Sequence, residues 1–240
     1  MIKRKAICLL SDGFDSPIAT YLIERQGIEV IGLNFNNSPF IMLSKKELKK
    51  TYDNKNNPIN SQFKSPIYNI AQKLVDSFRL QTSFSLYQMD HGNDLAKIIS
   101  QVEYQKIICV LCKRLMLRKA ERIAEKENAD YIVTGEILGE QASQTIINLI
   151  NIESALKSKK LIRPNIGLNK KEIISMSREI GTYQFSEMGA KFTCSAVPNK
   201  PSTSASSQSI LNSEEKLHID LMINESLKSI VIHNFTKIKK

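Results

Sequence analysis

Ala6-Ile7-Cys8-Leu9-Leu10-Ser11-Asp12-Gly13-Phe14-Asp15-Ser16-Pro17 is the stretch that decides the fold. Five uninterrupted apolar residues describe a strand buried on both faces, the habit of parallel sheets. Ser11-Asp12-Gly13 supplies turn residues, and Ser16-Pro17 marks a helix start, with Ser16 as N-cap and Pro17 in the first helical position. Ile18, Ala19, Leu22 and Ile23 then recur at helical spacing, and Gly27 offers a stop. Val30 to Phe35 is a second apolar run directly after that helix. Strand, helix and strand with short joins make a βαβ unit, so the sheet is parallel.

The alternation continues outward. Ser65-Pro66 opens a helix carrying Ile67, Ile70, Ala71, Leu74 and Phe78, Phe84 and Leu86 alternate as a third strand, and Asp94 to Val102 reads as a short helix. Leu111 to Lys126 is strongly helical and Tyr131 to Val133 is a strand. A helix to about Ile147, a strand near Leu161-Ile162, and a helix over 170–180 capped by Asn169 with Glu172 at N3 complete the series. The pattern predicts an α/β fold, a doubly wound parallel sheet with helices on both faces. Residues 1–194 form one domain interrupted by a Lys/Asn-rich insertion at 41–64. Residues 195–240 follow as an extended loop and one amphipathic helix from Glu214 to Ile230, with Leu217, Leu221 and Leu227 packing on the same domain and a frayed end.

Composition narrows the class. The chain has 240 residues, is 42% hydrophobic and 24% charged, and carries 34 Lys and Arg against 24 Asp and Glu, a net +10. These values exclude collagenous, coiled-coil and largely disordered proteins. No run approaches the ~20 apolar residues of a spanning helix, and the basic start lacks the features of a secretory signal. The expectation is a cytoplasmic chain without membrane contact. Four cysteines in a reducing compartment are no disulfide framework. The positive charge suits a phosphate-rich partner and equally a solvated surface.

Two constellations carry chemistry. A buried parallel strand that delivers Ser11 to Ser16 onto a helix start gathers backbone N–H groups, two hydroxyls and a positive helix end, which is an anion site or else an ordinary turn with a serine cap. It is not a Walker A loop, which ends in Gly-Lys-Ser/Thr. Cys109-Val110-Leu111-Cys112, with Cys194 far along the chain, reads as a three-thiolate iron–sulfur site, a persulfide relay, or half-buried structural thiols. Zinc would need a fourth ligand, and His91, His218 and His233 stand at no ligand spacing. Cys8 belongs to the core strand.

Ser11-x-Gly13-x-Asp15-Ser16 resembles the pyrophosphate loop (PP-loop) of the ATP pyrophosphatases, enzymes of the adenine nucleotide alpha hydrolase-like fold that adenylate a substrate and release pyrophosphate. Lys113 to Arg118, Thr134-Gly135-Glu136, Gln141 to Thr145, Arg163-Pro164, Ser177 to Thr182 and the Cys194, Pro198, Pro201 tail together resemble the tRNA 4-thiouridine synthase (tRNA sulfurtransferase) branch over nearly the whole chain. The resemblance implies an ATP site at Leu9, Leu10, Asn34, Phe35, Lys113, Gly135 and Gln144, with Ser11, Gly13, Asp15 and Ser16 around the phosphates and Asp15 handling Mg²⁺. It implies sulfur handling at Cys109, Cys112 and Cys194, and a [4Fe-4S] cluster on those thiols. The implied reaction adenylates a tRNA uridine and replaces its oxygen with sulfur to give 4-thiouridine, with a role in thiamine biosynthesis. Asp12 departs from the pattern, which has Gly; a carboxylate there weakens phosphate binding unless it faces Mg²⁺ or solvent.

An RNA-binding region and a rhodanese-like domain, usual in relatives, are not recognisable in the sequence. The expected partners are therefore tRNA, a sulfur donor protein or sulfide, and a separate RNA-binding subunit. Arg114, Arg118 and Arg122 at i, i+4 and i+8, with Lys45, Lys46, Lys49 and Lys50, are candidates for tRNA phosphate contacts. Two other functions fit the residues: adenylation of another small substrate, and a degenerate nucleotide- or RNA-binding subunit.

Overall fold

A computed structural model describes residues 4–44, 47 and 65–238. In chain order, β1 (Lys5–Leu9), α1 (Asp15–Glu24), β2 (Glu29–Asn36) and β3 (Ile41–Leu43) precede α2 (Ile67–Ser77), β4 (Ser83–Asp90) and α3 (Gly92–Gln101). A 3₁₀ turn then leads into α4 (Ile108–Lys126) and β5 (Tyr131–Val133). A second 3₁₀ turn (Ala142–Gln144) leads into α5 (Ile146–Glu153), β6 (Lys160–Ile162), α6 (Lys170–Glu179), α7 (Tyr183–Gly189) and β7 (Phe192–Cys194). α8 (Ser207–Glu214), α9 (Ile219–Lys228) and β8 (Val231–Thr236) close the series.

The main sheet runs β6-β5-β1-β2-β4-β8. β6, β5, β1, β2 and β4 are parallel, and β8 adds antiparallel to β4. β1 pairs β2 on one side and β5 on the other, so strand order reverses there, and the crevice beyond their C-terminal ends is where such sheets take ligands. Period-two alternation sorts the core. Ile7, Ile31 and Leu33 face a layer built with α3, α4, α5, α8 and α9, whereas Ala6, Cys8, Leu10 and Val30 face α1, α2 and α6. No described helix is long and apolar enough to cross a membrane.

Several local expectations are corrected. Ser16 is not the cap of α1: the helix begins at Asp15 after Phe14, and the Ser16 hydroxyl turns back to the loop. No helix fills 137–145; the chain makes a 3₁₀ turn, and the helix spans Ile146–Glu153 with Thr145 as its cap. The helix expected over Glu214 to Ile230 is the shorter α9, α8 stands before it, partly where an extended loop is expected, and Leu221 is 53% exposed rather than packed. Residues 231–236, for which the sequence pattern offers no element, form β8, an edge strand whose Val231 and Ile232 are exposed; Lys237 and Ile238 follow it without regular structure. The insertion opens with strand β3, paired antiparallel to β7, while Lys45, Lys46, Lys49 and Lys50 lie outside the described residues. Asn169 and Glu172 do form the expected capping box on α6.

Candidate active site

The turn after β1 folds around one hydroxyl. Ser16 Oγ accepts from the Ser11 N–H at 2.8 Å and lies 3.0 Å from Ser11 Oγ, which in turn accepts from the Gly13 N–H at 3.3 Å. The loop therefore closes on the positive end of α1, a position suited to an anion. Two glycines let other segments press against it. A Cβ on Gly135, just past β5, would lie 2.6 Å from Ser16 N, and one on Gly189 would lie 2.4 Å from Asp12 O. Both oxygens of Asp12 accept from the Ser65 hydroxyl, at 2.8 and 3.0 Å, so its charge is turned toward the start of α2.

A cavity of about 270 Å³ opens at the strand ends. Every residue of the expected ATP site except Gly13 lines it: Leu9, Leu10, Ser11, Asp15 and Ser16 from β1 and the loop, Asn34 and Phe35 from β2, Lys113 from α4, and Gly135 and Gln144 beyond β5. Asn37 and Glu136 also line it. The carboxamide oxygens of Gln144 and Asn37 are buried and find no hydrogen-bond partner among the described residues, a costly state that a ligand bearing N–H donors, as adenine does, would relieve. Thr134 donates to Glu136 at 2.6 Å, Arg163 reaches its carboxylate at 3.0 Å and Lys113 at 3.4 Å. These cations and the hydroxyl hold the Glu136 carboxyl below its usual range despite burial.

Sequence reasoning missed two groups behind the loop. Lys170, opening α6, places its ammonium 2.8 Å from Asp15 Oδ1 and 2.8 Å from Glu140 Oε1. Burial pushes the Asp15 carboxyl up, and Lys170 pulls it back. Asn165, fully buried, donates to the Asp15 carbonyl at 2.7 Å and ties the helix start to the strand layer. Both follow Arg163-Pro164 closely, the one local signal that pointed to this segment.

The three distant thiols come together. Cys109 and Cys112 stand at the start of α4, and Cys194, which ends β7 and pairs with Ile41 of β3, packs against the same core layer as Cys112. Burial is the main cause that raises each thiol, to about 12 for Cys112; Cys194 raises Cys109, and Cys109 and Cys194 both raise Cys112. Cys112 directly precedes Lys113 of the cavity wall, and His91, 3.3 Å from its sulfur, packs on Phe35 of the same wall, so the start of α4 borders the nucleotide crevice. No group of three His, Cys, Asp or Glu among the described residues encloses a single metal ion. Cys8 is buried in β1 and stands apart as a core residue.

The arginine face is corrected. Arg114 and Arg118 both fork onto the Glu214 carboxylate at 2.6–2.9 Å, and Arg114 also donates to the Asn151 carbonyl, so neither is free for a phosphate. Arg122 is exposed and within 3.6 Å of Glu125.

Comparison with known proteins places the chain in a family. A "probable tRNA sulfurtransferase" of Methanosarcina mazei is 33% identical over 94% of this chain and 50% of its own, and one of Methanocaldococcus jannaschii is 31% identical over 90% and 50%. A crystal structure described as a 4-thiouridine synthetase–RNA complex with bound ATP superposes with a TM-score of 0.79 at 27% identity, over 97% of this chain and 55% of that one. The chain thus spans about half the length of the curated relatives it matches. The family model described as thiamine biosynthesis protein (ThiI) matches residues 1–219, and the chain belongs to that family.

Proposed function

We propose that this chain carries out ATP-dependent thiolation of a tRNA uridine. The observation that supports the reading is a crevice with an anion loop and two buried carboxamide oxygens suited to ATP, whose wall residues Lys113 and Phe35 lead directly, by chain and through His91, to Cys112. The uridine O4 attacks the α-phosphorus and pyrophosphate leaves; a sulfur nucleophile then attacks C4 and AMP leaves. Ser11, Ser16 and the N–H groups at the start of α1 hold the phosphates, and Lys113 neutralises charge that develops as pyrophosphate departs.

Mg²⁺ usually keeps one or two protein carboxylates plus substrate phosphates, so Asp15 at the loop suffices for it and no three-carboxylate cage is required. Among the described residues the three thiols form no single-ion site, and Cys109, Cys112 and Cys194 are the side chains that would hold a cluster. When bound there, a [4Fe-4S] cluster would supply an iron that takes up sulfide. A thiamine-pathway role, a sulfur donor protein or sulfide, and an RNA-binding partner belong to the same reading and are drawn from the family alone. The test is mass analysis of tRNA nucleosides from cells with and without the gene. Loss of 4-thiouridine is expected, and an unchanged profile would overturn the proposal in favour of another adenylated substrate.

A further inference from the structure

A buried polar chain leads away from the thiols, and the reaction as written does not use it. His91, fully buried just before α3, has both ring nitrogens engaged: Nδ1 lies 2.7 Å from Lys119 Nζ, and Nε2 lies 3.3 Å from Cys112 Sγ. Lys119, on α4 and also without exposed surface, donates to Asp94 at 2.6 Å, and Asp94 accepts from the Ser226 hydroxyl of α9 at 2.6 Å. Lys119 also stands 5.8 Å from the centre of the Phe35 ring, which meets the His91 ring at 5.5 Å and lines the nucleotide cavity on its other side.

The hydrogens follow from valence. An ammonium has three donors and no lone pair, and Lys119 is ion-paired with the Asp94 carboxylate at 2.6 Å, so His91 Nδ1 accepts from it. An imidazole whose Nδ1 accepts carries its ring proton on Nε2, and that nitrogen lies 3.3 Å from the Cys112 sulfur. The backbone fixes the ring's origin: the His91 N–H donates to the Asn36 carbonyl at 2.9 Å, and Gly92 is so close to Ser38 that a Cβ there would lie 1.6 Å from its carbonyl oxygen. A histidine, a lysine and an aspartate taken fully out of water are costly, and an apolar trio would fill the space more cheaply.

We propose that His91 is a positioning residue of the sulfur site: locked as the Nε2–H tautomer by Lys119 and Asp94, it donates to the sulfur at Cys112, orienting it and stabilising negative charge on it. The proposal rests on the reading of Cys112 as a sulfur-handling residue. A donor to sulfur is the kind of outer partner that tunes a thiolate or the cluster it holds.

Two measurements test it. In ¹⁵N-histidine-labelled chain, long-range ¹H–¹⁵N correlation should place the His91 proton on Nε2, with the resonance identified by its loss in His91→Phe, and Lys119→Met should shift the tautomer population. A proton on Nδ1 in the unmodified chain would overturn the proposal whatever the variants do. In thiolation assays His91→Phe should lose at least about tenfold, a barrier change of roughly 1.4 kcal/mol, while ATP–pyrophosphate exchange stays within about twofold. His91→Gln, which keeps an amide N–H near the Nε2 position, should recover most of the loss. Full activity in His91→Phe, or no rescue by Gln, would reduce His91 to packing. Cys112→Ser separates the two layers: undiminished thiolation there would count against the reading of Cys112, whereas its loss beside an unaffected His91→Phe would count against His91 alone.

Discussion

Lys170 Nζ lies 2.8 Å from Asp15 Oδ1, although 155 positions separate the two residues, and the pair closes the back of the phosphate loop. The ammonium is shared with Glu140, so it is held from two sides and cannot swing freely into solvent. Asp15→Asn should abolish ATP–pyrophosphate exchange with the fold intact. Lys170→Met should weaken ATP binding by about tenfold, roughly 1.4 kcal/mol, because the Asp15 carboxylate then faces the polyphosphate without its counter-ion. Isothermal titration with ATP checks the second, and unchanged affinity would show that the pair serves only the fold.

Gly135 yields a steric prediction. An added methyl would meet Ser16 N at 2.6 Å and Ser16 Cα at 2.7 Å, and these are backbone atoms that cannot move aside as a side-chain tip can. Gly135→Ala should displace the loop from β5, lower Tm by several degrees, consistent with roughly 1–3 kcal/mol of overpacking, and reduce pyrophosphate exchange more than it reduces stability. Exchange and melting curves measured on the same preparation separate the two effects.

Glu214 anchors α8 to α4 through two guanidinium forks, which overcome burial and hold its carboxyl at about 2, against an ordinary 4.5. An acid depressed on folding stabilises the protein above its unfolded value, and that contribution drains as pH falls toward the folded one. Stability should therefore drop between pH 4.5 and about 2, by no more than about 3 kcal/mol from this group. Glu214→Gln should erase that limb and, by leaving buried Arg114 uncompensated, cost about 3–5 kcal/mol at neutral pH. Neutralising Arg118 should leave the salt dependence of tRNA binding unchanged, since its charge is already spent on Glu214.

How far the sequence carries a reader depends on whether a feature is local. β1 and its turn are legible because a strand buried on both faces must be apolar throughout, and the Asn169 and Glu172 box is legible because both partners lie within four residues. Ser16 misled because Ser-Pro imitates a cap, whereas Ser11, five residues earlier, claims the hydroxyl. The triplets β3 and β7 are too short for periodicity to register, yet Cys194 stands in their pairing, against the same core layer as Cys112. The spacing of Arg114 and Arg118 shows that they share a face and says nothing of the carboxylate some hundred positions away that occupies it. His91 had no ligand spacing at all; only the fold surrounds it with Lys119 and Cys112.

The cysteines give the prediction on which the sulfur chemistry stands. Burial lifts Cys112 to about 12 and raises Cys109 and Cys194 less completely, so in the metal-free chain all three are neutral thiols at pH 7, with Cys112 the least reactive. Alkylation at pH 8 followed by mass spectrometry should modify Cys109 and Cys194 well before Cys112 and leave Cys8, enclosed in β1, untouched. A coordinating iron deprotonates its thiols and covers them, so anaerobic reconstitution with iron and sulfide should protect all three positions together, and substitution of any one by serine should expose the other two. Each serine variant should lose tRNA thiolation while keeping pyrophosphate exchange, because none of the three lines the nucleotide cavity. Protection of none of the three after reconstitution, with thiolation still lost in Cys194→Ser, would replace the cluster with a persulfide relay. Full thiolation in the triple variant would remove sulfur handling from this chain altogether.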